Sequence, residues 1–172
     1  MLNFIKHRDH ALMLRIHHWE APDWIRLVML TATRAGDGWL WYGLGLMILI
    51  FGDHDRVASV FAGTVSTSVG LIIYALTKRA TRRRRPCLVE PNRWADVLPP
   101  DQYSFPSGHT IAAFAITLSV GQFYPPLFMP LLLTALLIAC SRIMLGMHYL
   151  SDVLAGMVLG GTLGHIAYKL IS

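Results

Sequence analysis

The sequence predicts an all-α, polytopic transmembrane helix bundle, and three observations carry that prediction. Of 172 residues, 54% are hydrophobic and only 15% charged, where a soluble domain of this size carries about a quarter charged residues. Mean hydropathy is +0.47. No Lys, Arg, Asp or Glu occurs in 57–77, 104–141 or 153–168, three stretches long enough to enter a bilayer. A single membrane-embedded domain over 1–172 is expected, with 1–36 as interfacial helices and 37–172 as the transmembrane core.

From the N-terminus, Leu2, Ile5, Leu12, Ile16 and Trp19 recur at helical spacing among Lys6, Arg8, His10 and Arg15. That pattern reads as an amphipathic helix lying at the interface. Ala21-Pro22-Asp23 ends it, and Trp24 to Thr33 forms a second short helix. The chain begins without a continuous apolar run, so no cleavable signal peptide is expected. Trp39 to Phe51 is the first span, opened by Trp39, Trp41 and Tyr42 as an interfacial belt. Val57 to Leu76 is the second, with Ser59, Gly63, Thr67 and Gly70 giving it a small-residue face for close packing. Residues 77–106 form a polar, proline-bearing loop. Ser107 to Phe123 is the third span, Tyr124-Pro125-Pro126 a turn, and Leu127 to Cys140 the fourth. Val153 to Leu170 is the fifth, and its Gly156, Gly160 and Gly164 repeat every four residues, a tandem stripe for tight helix contact.

Two cysteines, Cys87 and Cys140, make no disulfide framework, and Cys140 reads as a small buried hydrophobe. Residues 78–85 (KRATRRRR) hold six of the fifteen cations. Such a run suits a juxtamembrane stripe, a nucleic-acid patch or an anion site. Beside long apolar spans the membrane-surface reading is favoured, and no nucleic-acid partner is expected.

Five spans joined by short turns bring three polar segments to one face of the membrane. These are the loop after the second span, the start of the third, and the connector between the fourth and fifth. In the middle segment, Ser107 follows a proline and opens an apolar helix, the position of an N-cap. A helix N-terminus there directs free N–H groups and positive dipole at an anion, Gly108 admits a close ligand, and His109 lies on the first turn. In the last segment His148 and Asp152 are four residues apart and neighbours if that stretch is helical. A carboxylate holding Nδ1 would leave Nε2 as nucleophile or base. Arg142 is the one formal charge between Asp101 and Asp152, and an arginine among apolar spans is a functional candidate. Each pattern alone also suits a structural cap or hydrogen bond. Together, Lys78, Arg85 and Arg142 make three cations fit for a tetrahedral oxyanion.

Read as Lys78…Arg85-Pro86, then Pro106-Ser107-Gly108-His109, then Ser141-Arg142…His148…Asp152, these blocks resemble the signature of the type 2 phosphatidic acid phosphatase family. The resemblance runs over about 31–170. It implies a membrane lipid phosphatase in which His148 attacks phosphorus to form a phosphohistidine, Asp152 orients it and His109 protonates the leaving oxygen. Lys78, Arg85, Arg142, Ser107 and the Gly108 backbone would hold the phosphate. No metal and no cofactor are implied. Phosphatidylglycerophosphate, phosphatidic acid, undecaprenyl pyrophosphate and lipid A phosphates all remain candidate substrates. A lipid phosphotransferase using the same phosphoenzyme is the alternative. A haloperoxidase, or a non-catalytic lipid binder with a fossil site, fits less well. The extra Arg79, Arg82, Arg83 and Arg84 are read as contacts to anionic headgroups. The resemblance implies a plasma (inner) membrane protein with its site facing the periplasm or exterior, against the positive-inside rule, which would put the arginine-rich face in the cytoplasm.

Overall fold

The computed structural model describes residues 2–89 and 101–172, with the side chains of 2–6 and of His17 outside the description. The expectations for Leu2, Ile5 and Lys6, and for the 90–100 part of the polar loop, therefore fall outside the described residues. Among the described residues eight helices follow in order: α1 Leu2–His18, α2 Asp23–Ala35, α3 Trp39–Phe51, α4 Arg56–Thr81, α5 Pro86–Val89, α6 Gly108–Phe123, α7 Pro125–Met144 and α8 Leu150–Ile171. Among the described residues the one β-type pairing is an isolated bridge between Arg84 and Tyr103. The fold is the expected all-α transmembrane bundle. α4, α7 and α8 are long and apolar enough to cross a membrane, whereas α3 is a shorter apolar helix of 13 residues. At 16 residues, α6 reaches about 24 Å, short of the roughly 30 Å hydrocarbon core. It packs against α4, α7 and α8, so most of its length is covered by protein rather than lipid.

The contact between α6 and α8 organises the bundle, and glycine makes it possible. A Cβ added at Gly156 would stand 2.9 Å from the Ser107 carbonyl oxygen, at Gly160 2.3 Å from that of Ile111, and at Gly164 2.4 Å from that of Ala115. The stripe read in the sequence is thus a seam in which one backbone lies on another, each step of four on α8 matching a step of four on α6. On the other side of α6, Gly70 of α4 meets the Ile111 side chain, where a Cβ would come within 2.5 Å.

Several expected boundaries move. α4 continues one turn past Leu76 to Thr81, so Lys78 lies on a helix rather than in the loop. A second piece of that loop folds as α5. α7 likewise runs on to Met144 and carries Arg142. Lys78, Arg79 and Arg142 are good helix formers, so α4 and α7 run on past the end of their apolar stretches. Cys140 is exposed rather than buried, because it lies on the outer face of α7, and both cysteines are free. The aromatic belt is divided: Trp39 and Tyr42 are exposed, while Trp41 turns inward against Ile116 and Leu131.

Candidate active site

All three polar segments meet at one end of the bundle, as the span count required. Lys78 on the last turn of α4 donates to the Tyr74 hydroxyl and to the Asp101 carboxylate. Arg85, 2% exposed, donates from Nη2 to both carboxylate oxygens of Asp101 at 3.1 Å and from Nε to the Asp101 carbonyl at 2.9 Å. Asp101 therefore aims two cations at one place. Burial alone would raise its carboxyl, but the Lys78 hydrogen bond and the Arg85 charge outweigh burial and hold it below the usual carboxylate range. Nη1 of Arg85 donates to the Met147 carbonyl and to Nε2 of His148, each at 3.0 Å.

His148 is buried and lies just ahead of α8, whose cap is Tyr149. The expected His148–Asp152 pair is present but long, with Nδ1 3.8 Å from the Asp152 carboxylate. Nδ1 donates instead at 2.5 Å to the backbone carbonyl of Ser104. Either acceptor gives the same tautomer, with Nε2 unprotonated. Burial, reinforced by Arg142 and Arg85 and opposed by Asp152, lowers the His148 pKa to about 4. The ring is neutral at pH 7 and its unprotonated nitrogen touches the Arg85 guanidinium.

Asp152 is fully buried and has structural duties. Its carboxylate accepts from the Tyr149 backbone N–H at 2.9 Å and from Nη1 of Arg83 at 2.7 Å. Arg83 also pairs with buried Asp9 of α1 at 2.7 Å and stacks over the Tyr149 ring. Arg83 is thus no headgroup contact: two carboxylates inside the protein claim it. The sequence held no spacing that would separate it from Arg79, Arg82 and Arg84.

Ser107 occupies the N-cap position of α6 without capping it through its side chain. Its hydroxyl accepts from Thr110 at 2.8 Å, and its backbone N–H bonds the Asp152 carbonyl. The first-turn N–H groups are not taken by that hydroxyl and stay available to an anion. Gly108 packs against Tyr74, where a Cβ would be 3.3 Å from the ring. His109 bonds through Nε2 to the Asp37 carboxylate at 2.7 Å. Arg142 is buried, donates from Nη1 to Thr33 of α2, and keeps a buried Nε with no partner among the described residues. Asp101, Asp37, Thr33 and the Ser104 carbonyl were not singled out from sequence, because each acts through a fold contact without a fixed spacing to any motif.

From Gly108 and His109 a cavity of about 540 Å³ descends between α3, α4 and α6 as far as Ile48, Gly63 and Val120. Most of its lining is apolar, and Tyr42 and Leu71 on its rim are exposed. It joins the polar end of the bundle to the depth of the membrane.

The sequence model of the PAP2 superfamily matches residues 56–172. The chain is a PAP2 protein. It is similar to decaprenylphosphoryl-5-phosphoribose phosphatase of Mycobacterium tuberculosis, 43% identical over 126 residues, covering 73% of this chain and 68% of that one. Similarity to undecaprenyl-diphosphatase of Sulfolobus acidocaldarius is 26% over 150 residues, covering 84% and 70%. Among solved structures, the PAP2-type phosphatidylglycerolphosphate phosphatase of Bacillus subtilis aligns with a TM-score of 0.77 at 22% identity, covering 98% of this chain and 86% of that one. Aquifex aeolicus LpxE aligns at 0.71 with 25% identity, covering 92% and 93%. This PAP2 chain is a membrane phosphatase that hydrolyses lipid phosphate esters.

Proposed function

We propose that this PAP2 chain removes the terminal phosphate of an isoprenoid lipid phosphate or diphosphate, through a phosphohistidine on His148 and without a metal ion. One observation carries the reading. The neutral Nε2 of His148 touches Arg85, within a cluster completed by Lys78 and by Arg142, whose Nε–H has no partner among the described residues. In the first step Nε2 attacks phosphorus and the P–O bond to the lipid breaks, while His109 gives a proton to the leaving oxygen. In the second, water attacks phosphorus, the P–N bond breaks and His109 takes the water proton, releasing inorganic phosphate. Three cations and a helix N-terminus supply the positive charge that a metal ion would otherwise bring.

The lipid class draws support from the decaprenyl and undecaprenyl substrates in the names of the two relatives. The apolar cavity below His109 suits a long hydrocarbon chain. We assign the site to the outer face of the plasma membrane. Lys78, Arg83 and Arg85 are engaged by Asp101, Asp9 and Asp152, so half of the 78–85 cations are poor topology signals.

Phosphate release in detergent tests this on polyprenyl mono- and diphosphate, a polyprenyl-linked sugar phosphate, phosphatidylglycerophosphate, phosphatidic acid and a lipid A phosphate. The best isoprenoid substrate is expected to exceed every other by about 10-fold or more in kcat/KM, unaffected by EDTA and blocked by vanadate. A glycerolipid or lipid A winning would refute the substrate class, and loss in EDTA the metal-free chemistry. Label passing to another lipid instead of to inorganic phosphate would make the chain a transferase. Added substrate is expected to be hydrolysed by intact spheroplasts; hydrolysis confined to inverted vesicles would reverse the orientation.

The pH profile follows from His148. Protonation removes the nucleophile, and the lowered pKa moves that loss down from about 6.5 to about 4. Corrected for substrate ionisation near pH 6, kcat/KM is expected to hold down to pH 5 and halve near pH 4. An acid limb centred near 6.5 would contradict the neutral, buried ring. Stability has the same sign: unfolded chains bind this proton first, so stability falls as pH drops from about 6.5 toward 4.

A further inference from the structure

We infer that Asp37 is the positioning residue for His109, holding the ring by Nε2 so that protons pass through Nδ1. The inference rests on the reading of His109 as general acid. Asp37 lies in the turn between α2 and α3, ahead of the stretch that matches the superfamily.

The turn is shaped around the imidazole. A Cβ at Gly36 would stand 2.8 Å from Cδ2 of His109, and Gly38 has φ +115°, a conformation that side chains disfavour. Between these two glycines, Asp37 brings its Oδ1 to 2.7 Å from Nε2 of His109. Cδ2 and Nε2 are adjacent ring atoms, so one edge of the imidazole is committed to the turn. Nδ1 lies on the opposite edge. The two histidines are therefore held by opposite nitrogens: His148 by Nδ1 on the Ser104 carbonyl, leaving Nε2, and His109 by Nε2 on Asp37, leaving Nδ1.

That difference matches their tasks. His109 must be an imidazolium before the first step, beside the charges of Arg142 from α7 and Arg85 from the segment before α5. The Asp37 carboxylate is the opposing charge in contact with it. Nδ1–H passes to the leaving oxygen as the P–O bond breaks, and the ring becomes neutral with Nε2–H still on Asp37. When water cleaves the P–N bond, Nδ1 takes its proton and the imidazolium is restored.

A leaving-group comparison tests this, because acid catalysis matters for a lipid alkoxide and little for p-nitrophenolate. The comparison is read in kcat/KM, which ends at P–O cleavage and excludes the water step that both substrates share. In purified full-length protein, Asp37→Asn is expected to lower kcat/KM on a polyprenyl monophosphate by roughly 30-fold or more, and the alkaline limb of that profile should move to lower pH. For p-nitrophenyl phosphate kcat/KM should fall by less than about 3-fold, and Asp37→Glu should recover most of the lipid activity. Equal losses on both substrates, or none on either, at an unchanged melting temperature would overturn the inference. If Asp37→Asn fails to fold, Asp37→Glu must show the same substrate split in weaker form, and an even loss overturns it. His109→Ala separates the two levels. Leaving-group selectivity in His109→Ala but not in the Asp37 variants sinks the Asp37 role alone, whereas its absence from His109→Ala sinks the acid assignment itself.

Discussion

His148→Ala is expected to abolish turnover, by about 10⁴-fold or more, while the protein still folds. The substitution removes Nε2, the atom that would form the P–N bond, and among the described residues no other unprotonated nitrogen is in contact with Arg85. Arg85 keeps its bonds to Asp101 and to the Met147 carbonyl, so the cation cluster should survive. Substrate affinity should change far less than turnover. With a labelled phosphate ester of a good leaving group and an alkaline quench, an acid-labile phosphoenzyme should be trapped in His109→Ala and be missing in His148→Ala. A His148→Ala protein with near-normal phosphate release, or one that still traps the phosphoenzyme, would end the nucleophile assignment.

The second large effect is structural. Gly160→Ala is expected to cost about 1–3 kcal/mol or more of stability and most of the activity, although the methyl group it adds meets only the Ile111 backbone. The new Cβ would stand 2.3 Å from the Ile111 carbonyl oxygen and 3.0 Å from its carbonyl carbon. Both are backbone atoms that no rotamer change can move. α8 must then separate from α6, and the two helices carry the site: His109 rides on the first turn of α6, and the Ser107 backbone bonds the Asp152 carbonyl at the head of α8. Gly161→Ala is the control, with nothing nearer than 3.9 Å and an expected change within about 0.5 kcal/mol. Thermal melting in detergent compares the pair. Equal melting temperatures would mean that the seam yields more easily than its backbone contacts imply.

Much of the site was legible because its chemistry is written as local blocks. Lys78, Arg85, Arg142 and the histidines were readable from spacing, and their convergence followed from counting spans. The partners of those residues were not legible. Asp101 reaches Lys78 across 23 residues, Arg83 reaches Asp9 across 74, and Asp37 reaches His109 across 72. Nothing in a linear pattern marks one acid in a polar segment as the partner of a distant cation.

The Asp152 reading shows the same limit in a subtler form. Four-residue spacing implied a helical contact to His148, and the two do stand 3.8 Å apart, but α8 starts at Leu150 and the pair lies outside hydrogen-bond length. The backbone before α8 turns Nδ1 to Ser104 instead.

By itself the amino-acid order determined most of the helices, that they lie in a membrane, and that three polar segments meet at one end of the bundle. Hydrophobic periodicity, glycine spacing and short motifs are properties of neighbouring residues, and those survive in a linear string. Tertiary structure alone decided which carboxylate faces which cation and which nitrogen of each histidine is left free. Those choices depend on where a turn ends and how closely two backbones approach, to within about an ångström of hydrogen-bond geometry.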